Sequence, residues 1–540
     1  MLLTVVDENE GIPFATLPTF RLSDFIDEKE SNSPAALHEK LVWQLASVLW
    51  DKLDVPVELS DTPNVEDRLR KKKLSVFWEK LVDSSSCNGI ALARSGEEKA
   101  IASLSGHRVA DACGYLINGK NFHLATLVAL IGGRESMRKD IREQLREWRT
   151  AKCLSEFNQP IRAIYELLAG NVCVCDGFKG AVEDRVDSFV ISTRFGLDWR
   201  QAFGLRLWYG TRSAAEIEEA VLSFADDLNE ERESALPQPW YVEQKIPTLW
   251  EDEDLDNRED LLWGLLKLYT FSDTDLEAII RPENSQLSPL DTRLSWQLSR
   301  TLTSLRNINY LEDPEDKADR ATISFASQLT NEGSWIEAAF VLLHLSSGTA
   351  RAKALQDHLA HHASLIGTED SASFTKLTRD FRIPAPWIWE AKALFMRSVK
   401  KDPRGEVDCL LKAGLFEESH RTFAKEVAPK AIIERNYDVL RALLRGFDGK
   451  QNSISEWHLG GEIYSDFLKL LDSQKKGILI DSLVLQRLLA GLPAMIQASR
   501  NPDFMETIAI ETISSDVAQI ITAIGENGEV SFFEYLSSGL

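Results

Sequence analysis

His358, His361 and His362 are the residues of this chain best spaced for chemistry. At i, i+3 and i+4 on a helix they share one face, and imidazoles on one face can ligate zinc. A metal-dependent enzyme at this cluster would need a glutamate in the second position of His-Glu-x-x-His and a further ligand beside it. The sequence supplies neither, so the three histidines read as surface or hairpin-packing residues. Cys173 and Cys175, with Cys153 upstream, are too close for a zinc knuckle, which needs two to four residues between cysteines. They read as small apolar residues near a loop. With Cys87, Cys113 and Cys409 they form no paired pattern and no Cys-x-x-Cys, as expected of reduced intracellular thiols.

Other chemistries lack their signatures. Gly132-Gly133-Arg134 has neither the lysine nor the spacing of a phosphate-binding loop, and there is no Gly-x-Ser-x-Gly elbow. Carboxylate pairs at helical spacing are too common in an acidic helical chain to carry weight. The one basic run is Arg68-Leu69-Arg70-Lys71-Lys72-Lys73, which could serve nuclear import or phosphate binding. More often such a run is the solvated face of a helix. Trp43, Trp50, Trp387 and Trp389 sit within apolar stripes, as core residues do. The expectation is a protein that is not an enzyme, with no catalytic, cofactor-binding or metal-binding residues.

The chain has 540 residues, with 61 lysines and arginines against 84 aspartates and glutamates, a net charge of −23. That excess disfavours direct binding to nucleic acid or anionic membranes. The start, Met1 to Gly11, lacks the basic region of a signal peptide. No apolar run reaches the roughly 18 residues needed to cross a bilayer. The stretch from Ile478 to Ile496 is interrupted by Asp481, Gln486 and Arg487. Direct membrane insertion is therefore not expected.

The elements that would position these groups are helices. Leu37, Leu41, Leu45, Val48, Leu49 and Leu53 form one apolar stripe, with Ser33-Pro34 as cap and first turn. Comparable segments are predicted at about 65–83, 92–104, 107–118, 121–132, 135–150 and 157–169. Residues 170–187 read as a loop, and helices resume over 188–209 and 213–229. The stretch 230–254, with three prolines and Glu251-Asp252-Glu253-Asp254, reads as a long surface connection. Its carboxylates are expected at the start of the next helix, against the helix dipole. Further helices are predicted from 258 to 380 and, after Pro384-Ala385-Pro386, to the C-terminus. A junction recurs at irregular intervals: Leu116 to Ala125, Leu329 to Ala338 and Leu411 to Ser419. Each combines a helix end, a glycine (Gly119, Gly333, Gly414) able to take a left-handed cap, an aromatic expected to pack back on the preceding leucine, and a small residue three positions later. Repeated hairpin junctions without a fixed period predict an all-α, irregular α-solenoid.

Several stretches then resemble one known family. They are Val42 to Trp50, Leu197-Asp198-Trp199-Arg200-Gln201-Ala202-Phe203-Gly204-Leu205-Arg206-Leu207-Trp208-Tyr209, Trp335 to Leu345, and Ile383 to Ala393. Leu415 to His420, Ala428 to Asp438 and Trp457 to Tyr464 follow in the same order. Together they resemble the α-helical nucleoporin of the Y-shaped coat subcomplex of the nuclear pore, an ancestral coatomer element. In that family it is the C-terminal product of a self-cleaving precursor.

The resemblance implies a fold-back solenoid. Residues 1–34 would be an irregular N-terminal segment, 35–125 and 286–383 the two parts of a trunk, 126–285 a crown and 384–540 a tail. It implies a structural scaffold forming a stalk segment of the Y complex, needed for pore assembly and for transport of protein and mRNA. Partners would be other Y-complex nucleoporins: the stalk partner through the crown and the arm nucleoporins through the tail. The place would be the nuclear pore complex at the nuclear envelope. The family also completes a β-propeller shared with the COPII coat through a three-stranded segment ahead of the trunk. Here only Leu2 to Val6 looks strand-like, so that segment is expected to be missing or to lie upstream, and the precursor's His-Phe-Ser junction is not present. A vesicle-coat scaffold of the same architecture is the rival reading.

Overall fold

A computed structural model describes residues 3–26, 33–55, 64–133, 135–179, 185–211, 217–248, 250–305, 308–476, 481–498 and 503–526. The chain is an all-α, solenoid-like protein in which helices follow one another through short turns. Among the described residues the only sheets are two two-stranded ones. No described helix is long and apolar enough to cross a membrane.

The chain forms two compact units, residues 17–328 and residues 1–16 with 329–540. The first begins with α1 (Pro34–Trp50), α2 (Val65–Leu92), α3 (Gly96–Leu104), α4 (Val109–Asn118) and α5 (Phe122–Val128). It continues through α6 (Glu135–Thr150), α7 (Gln159–Ala169), α8 (Ile191–Phe195), α9 (Trp199–Leu205) and α10 (Glu218–Asn229). Then come α11 (Trp240–Glu243), α12 (Leu261–Thr270), α13 (Leu276–Ile279), α14 (Arg293–Ser304) and α15 (Pro314–Asn331). Its core is aromatic: Trp78, Phe203, Phe224 and Trp263 are all buried. Trp78 meets Phe203 at 4.7 Å and Phe224 meets Trp263 edge-on at 5.0 Å. The Trp78 indole N–H donates to the Arg200 carbonyl (2.7 Å), so its polar end is satisfied in the core. The Leu197–Tyr209 stretch that carries the strongest resemblance is thus largely a run of core contacts. Gly204 belongs to it for a steric reason: a Cβ there would stand 2.6 Å from the Trp208 ring.

The second unit holds the helices α16 (Trp335–Leu342), α17 (Gly348–His361), α18 (Ala372–Thr375), α19 (Ala385–Phe395) and α20 (Pro403–Ala413). It also holds α21 (Phe416–Thr422), α22 (Ala428–Ile433), α23 (Tyr437–Gly446), α24 (Gly461–Lys476), α25 (Ser482–Ala498) and α26 (Phe504–Glu526). The motifs here are also structural. The Gly461 amide donates to Nε2 of buried His420 (2.9 Å), and Ser419 Oγ donates to the Val407 carbonyl (3.1 Å). Glu417 accepts from the Ser455 amide (3.1 Å).

Three expectations need correction. Residues 5–16 are not irregular: β1 (Val5–Asn9) and β2 (Ile12–Thr16) form an antiparallel hairpin. Its turn places Glu10 and Gly11 both at positive φ, the geometry that suits a two-residue hairpin. Pro13 and Ala15 are buried, Arg351 Nε donates to the Pro13 carbonyl (2.7 Å), and the Ala15 amide donates to the Leu343 carbonyl (3.0 Å). The acidic run Asp7-Glu8-Asn9-Glu10 hid the alternation that would reveal two strands. Second, Val174–Cys175 (β3) in the expected 170–187 loop pairs with Phe189–Val190 (β4), so the segment expected to be helical from 188 opens as a short strand. Third, the 230–254 connection inserts α11, with Trp240 and Tyr241 buried. The carboxylate at the start of α12 is Asp260, accepting from the Leu262 amide (2.8 Å), while Asp252 pairs with Arg258 (2.8 Å).

The recurring junction is real, with its register shifted in one copy. In all three, an amide five residues along returns to the helix end: Asn121 to Leu116 (2.9 Å), Ser334 to Leu329 (2.8 Å) and Leu415 to Leu410 (3.0 Å). The left-handed residue stands two before the aromatic. It is Gly333 (φ 83°) and Gly414 (φ 79°), but in the first copy it is Lys120 (φ 63°), while Gly119 has φ −76°. A fourth copy without glycine uses Arg435 (φ 55°) before Tyr437, with the Asn436 amide returning to Ala431 (2.8 Å). The small residues Ala125, Ala338 and Ser419 are buried, which lets adjacent helices approach. Phe122 does not pack back. It is 63% exposed, because α5 turns Leu124, Ala125 and Val128 inward instead.

Candidate interaction surfaces

The histidine cluster lies at the end of α17 and is spent on packing. His358 Nε2 donates to the Trp335 carbonyl (2.8 Å), and His362 stacks on the Trp335 ring at 5.7 Å. His361 and His362 direct their Nδ1 atoms to the carbonyls one turn back, Asp357 (2.7 Å) and His358 (2.9 Å). Burial lowers the His358 pKa to about 4, so it stays neutral at physiological pH. Among the described residues no three His, Cys, Asp or Glu side chains are grouped to hold a metal.

Cys173 and Cys175 are buried beside β4, and burial raises both thiols to about 12, which keeps them protonated and inert. The basic run divides into structural and exposed members. Arg70 Nη1 donates to the Val48 carbonyl (3.0 Å) and also reaches those of Leu49 and Asp51, capping the C-terminal end of α1. Lys71 Nζ donates to Thr211 Oγ1 (2.8 Å). Arg68, Lys72 and Lys73 face solvent. Trp43 is buried and stacks on Phe25 (4.7 Å), and Trp389 is buried between the ammonium groups of Lys392 and Lys412 (4.6 and 4.4 Å).

The buried charges of the first unit form closed networks. Arg206 donates to Asp227 (2.6 Å), Glu233 (3.0 Å) and the Ala202 carbonyl (2.9 Å), with its guanidinium 4.7 Å from the Phe224 ring. Arg200 pairs with Glu243 (2.6 Å) and Asp260 (3.2 Å). Burial raises both carboxyls, Glu243 to about 7, and Arg200 opposes that rise. These are internal ties that hold loops to helices. A groove of about 570 Å³ beside α2, α3 and α9 has its carboxylates committed locally. Asp198 accepts from the Gln201 amide (2.8 Å) and Ser85 Oγ (2.8 Å), and Glu98 accepts from the Arg94 amide (2.8 Å).

There is also exposed apolar surface. In the first unit it includes Leu92, Ile117, Phe122 and Leu130, around the ends of α2, α4 and α5. In the second it includes Leu394 in the last turn of α19, Val399 beyond it, and Leu483, Ile496 and Phe504 on α25 and α26. Sequence periodicity could not separate these from core positions, since both are apolar at helical spacing.

Comparison with known proteins gives the same kind of molecule. The family model described as Nuclear protein 96 (Nup96) matches residues 98–395. Nucleoporin NUP145 of Chaetomium thermophilum is 37% identical over 425 residues, covering 78% of this chain and 21% of that protein. Nucleoporin nup189 of Schizosaccharomyces pombe is 32% identical over 460 residues, 81% of this chain and 24% of its own length. The Nup98-Nup96 protein of Drosophila melanogaster is 27% identical over 437 residues, 79% of this chain and 21% of its own. The chain therefore spans about a quarter or less of the length of these relatives.

Proposed function

This chain belongs to the Nup96 family, and on that premise we propose that it is a structural scaffold of the nuclear pore complex rather than an enzyme. It acts as a stalk segment of the Y-shaped coat subcomplex at the nuclear envelope, and pore assembly and the passage of protein and mRNA depend on it indirectly. The mechanism is mechanical. Stacked helices fix distances, and exposed apolar patches bind neighbouring nucleoporins. The observation that carries this reading is the family match across more than half of the chain. It is supported by the commitment of the histidine cluster and buried charges to internal contacts.

Within this reading, residues 35–125 and 286–383 serve as trunk, 126–285 as crown and 384–540 as tail, with the stalk partner on the crown and the arm nucleoporins on the tail. This division cuts the chain differently from its two compact units. The β1–β2 hairpin provides two strands, not the three of a propeller blade, and β2 is already tied to α17 through Arg351. Co-purification tests the crown assignment. Replacing residues 126–285 with a short linker should abolish capture of the stalk nucleoporin while capture through the tail persists. Retention of the stalk partner would refute it.

A further inference from the structure

The second unit carries a groove that takes in Leu394, one of its exposed apolar residues. It holds about 280 Å³ and lies among α17, α19, α20 and α21. That volume is below the usual range of small-molecule pockets, roughly 300–1,000 Å³, and suits one large side chain better than a cofactor. Its lining includes the apolar residues Ala360, Trp387 and Leu394, and Leu394 is 48% exposed although it is aliphatic. Its rim is acidic: Asp357, Glu390 and Glu418 are all exposed. Among the described residues the only cation of the lining, Arg397, is taken by Glu406 (2.6 Å). Glu418 and Glu426 add further negative charge around that pair. Asp357 and Glu390 make no ion pair among the described residues, while Glu418 shares the field of Arg397 with Glu406.

The geometry points to a docking site for a basic amphipathic segment of a partner protein, one apolar side chain filling the groove while flanking lysines or arginines meet Asp357, Glu390 and Glu418. An apolar anchor supplies contact energy and the charges supply orientation and selectivity. An acidic segment is repelled by the same rim. The site stands whichever nucleoporins meet the crown and the tail.

The test uses the full chain and two synthetic 16-residue helical peptides with one leucine stripe in common, flanked by lysine in one and by glutamate in the other. Binding is read by fluorescence anisotropy at physiological salt. The lysine peptide should bind at least tenfold more tightly than the glutamate peptide. Leu394→Ser should weaken it about tenfold, and the double variant Glu390→Lys/Glu418→Lys should reverse the preference. All three positions are exposed, so an unchanged melting temperature should accompany each variant. Equal binding of the lysine peptide to the wild type and both variants would mean attraction by the net charge alone, and would overturn the site. So would failure of the lysine peptide to bind. Self-association of the chain that Leu394→Ser abolishes would assign the groove to a second copy and overturn it equally.

Discussion

His38 offers the sharpest test of how the first unit is held together. Its ring lies inside α1, 5% exposed, stacked on Trp240 at 5.7 Å, and its Nε2 has no hydrogen-bond partner among the described residues. Burial, with the positive charge of Arg200 adding to it, lowers its pKa from 6.5 to about 3. The unfolded chain therefore binds a proton that the folded chain refuses. A depressed folded pKa gives stability that is complete above the unfolded pKa and is lost as pH falls toward 3. At pH 5 the difference between the two pKa values amounts to about 2 kcal/mol, and at pH 8 to about zero. Replacing His38 with phenylalanine keeps a ring against Trp240 and removes the titration. The variant should match the wild type at pH 8 within about 0.5 kcal/mol and exceed it by about 2 kcal/mol at pH 5. Glu243, raised to about 7, acts with the opposite sign between about pH 4.5 and 7, but it is present in both proteins and leaves the difference to His38. Urea unfolding followed by tryptophan fluorescence, with amide exchange of α1 as a local readout, measures the quantity. Parallel loss of stability in the two proteins on acidification would refute the burial argument.

Four further outcomes follow from the same structure. Gly414→Ala should destabilise the second unit by about 1 kcal/mol through its positive φ alone, because no atom lies within 4 Å of the added methyl. Lys120→Gly should stabilise by a similar amount, and thermal melts of both read the sign. Arg206→Met should cost about 3–5 kcal/mol by leaving buried Glu233 without its cation and Asp227 with Arg232 alone, a loss measurable by urea unfolding. Treatment with EDTA should leave the melting temperature of the chain unchanged, since His358, His361 and His362 are engaged with backbone carbonyls.

Much of the fold was legible because its signals are local. Amphipathic stripes marked most helices within a few residues of their ends, and the junction motif marked three helix turns. The fourth turn, at Arg435, was invisible because no glycine announces it, and Lys120 took the left-handed place that Gly119 advertised. The hairpin at residues 5–16 was hidden because its stability comes from contacts with Leu343 and Arg351, more than 300 residues away in sequence. The division of labour at Trp335 was equally nonlocal. Only the fold shows that His358 and His362 close on it. Exposed apolar positions were the least legible part. Leu394 and Phe122 look like core residues in the sequence, and only their surroundings reveal them as exposed.

The central claim, a scaffold role in the nuclear pore coat, is tested most directly by cross-linking mass spectrometry of the native assembly from isolated nuclear envelopes. The account predicts cross-links from residues 126–285 to the stalk nucleoporin and from residues 384–540 to arm nucleoporins of the Y complex. Cross-links confined to vesicle-coat proteins, or absent at the nuclear envelope, would contradict it.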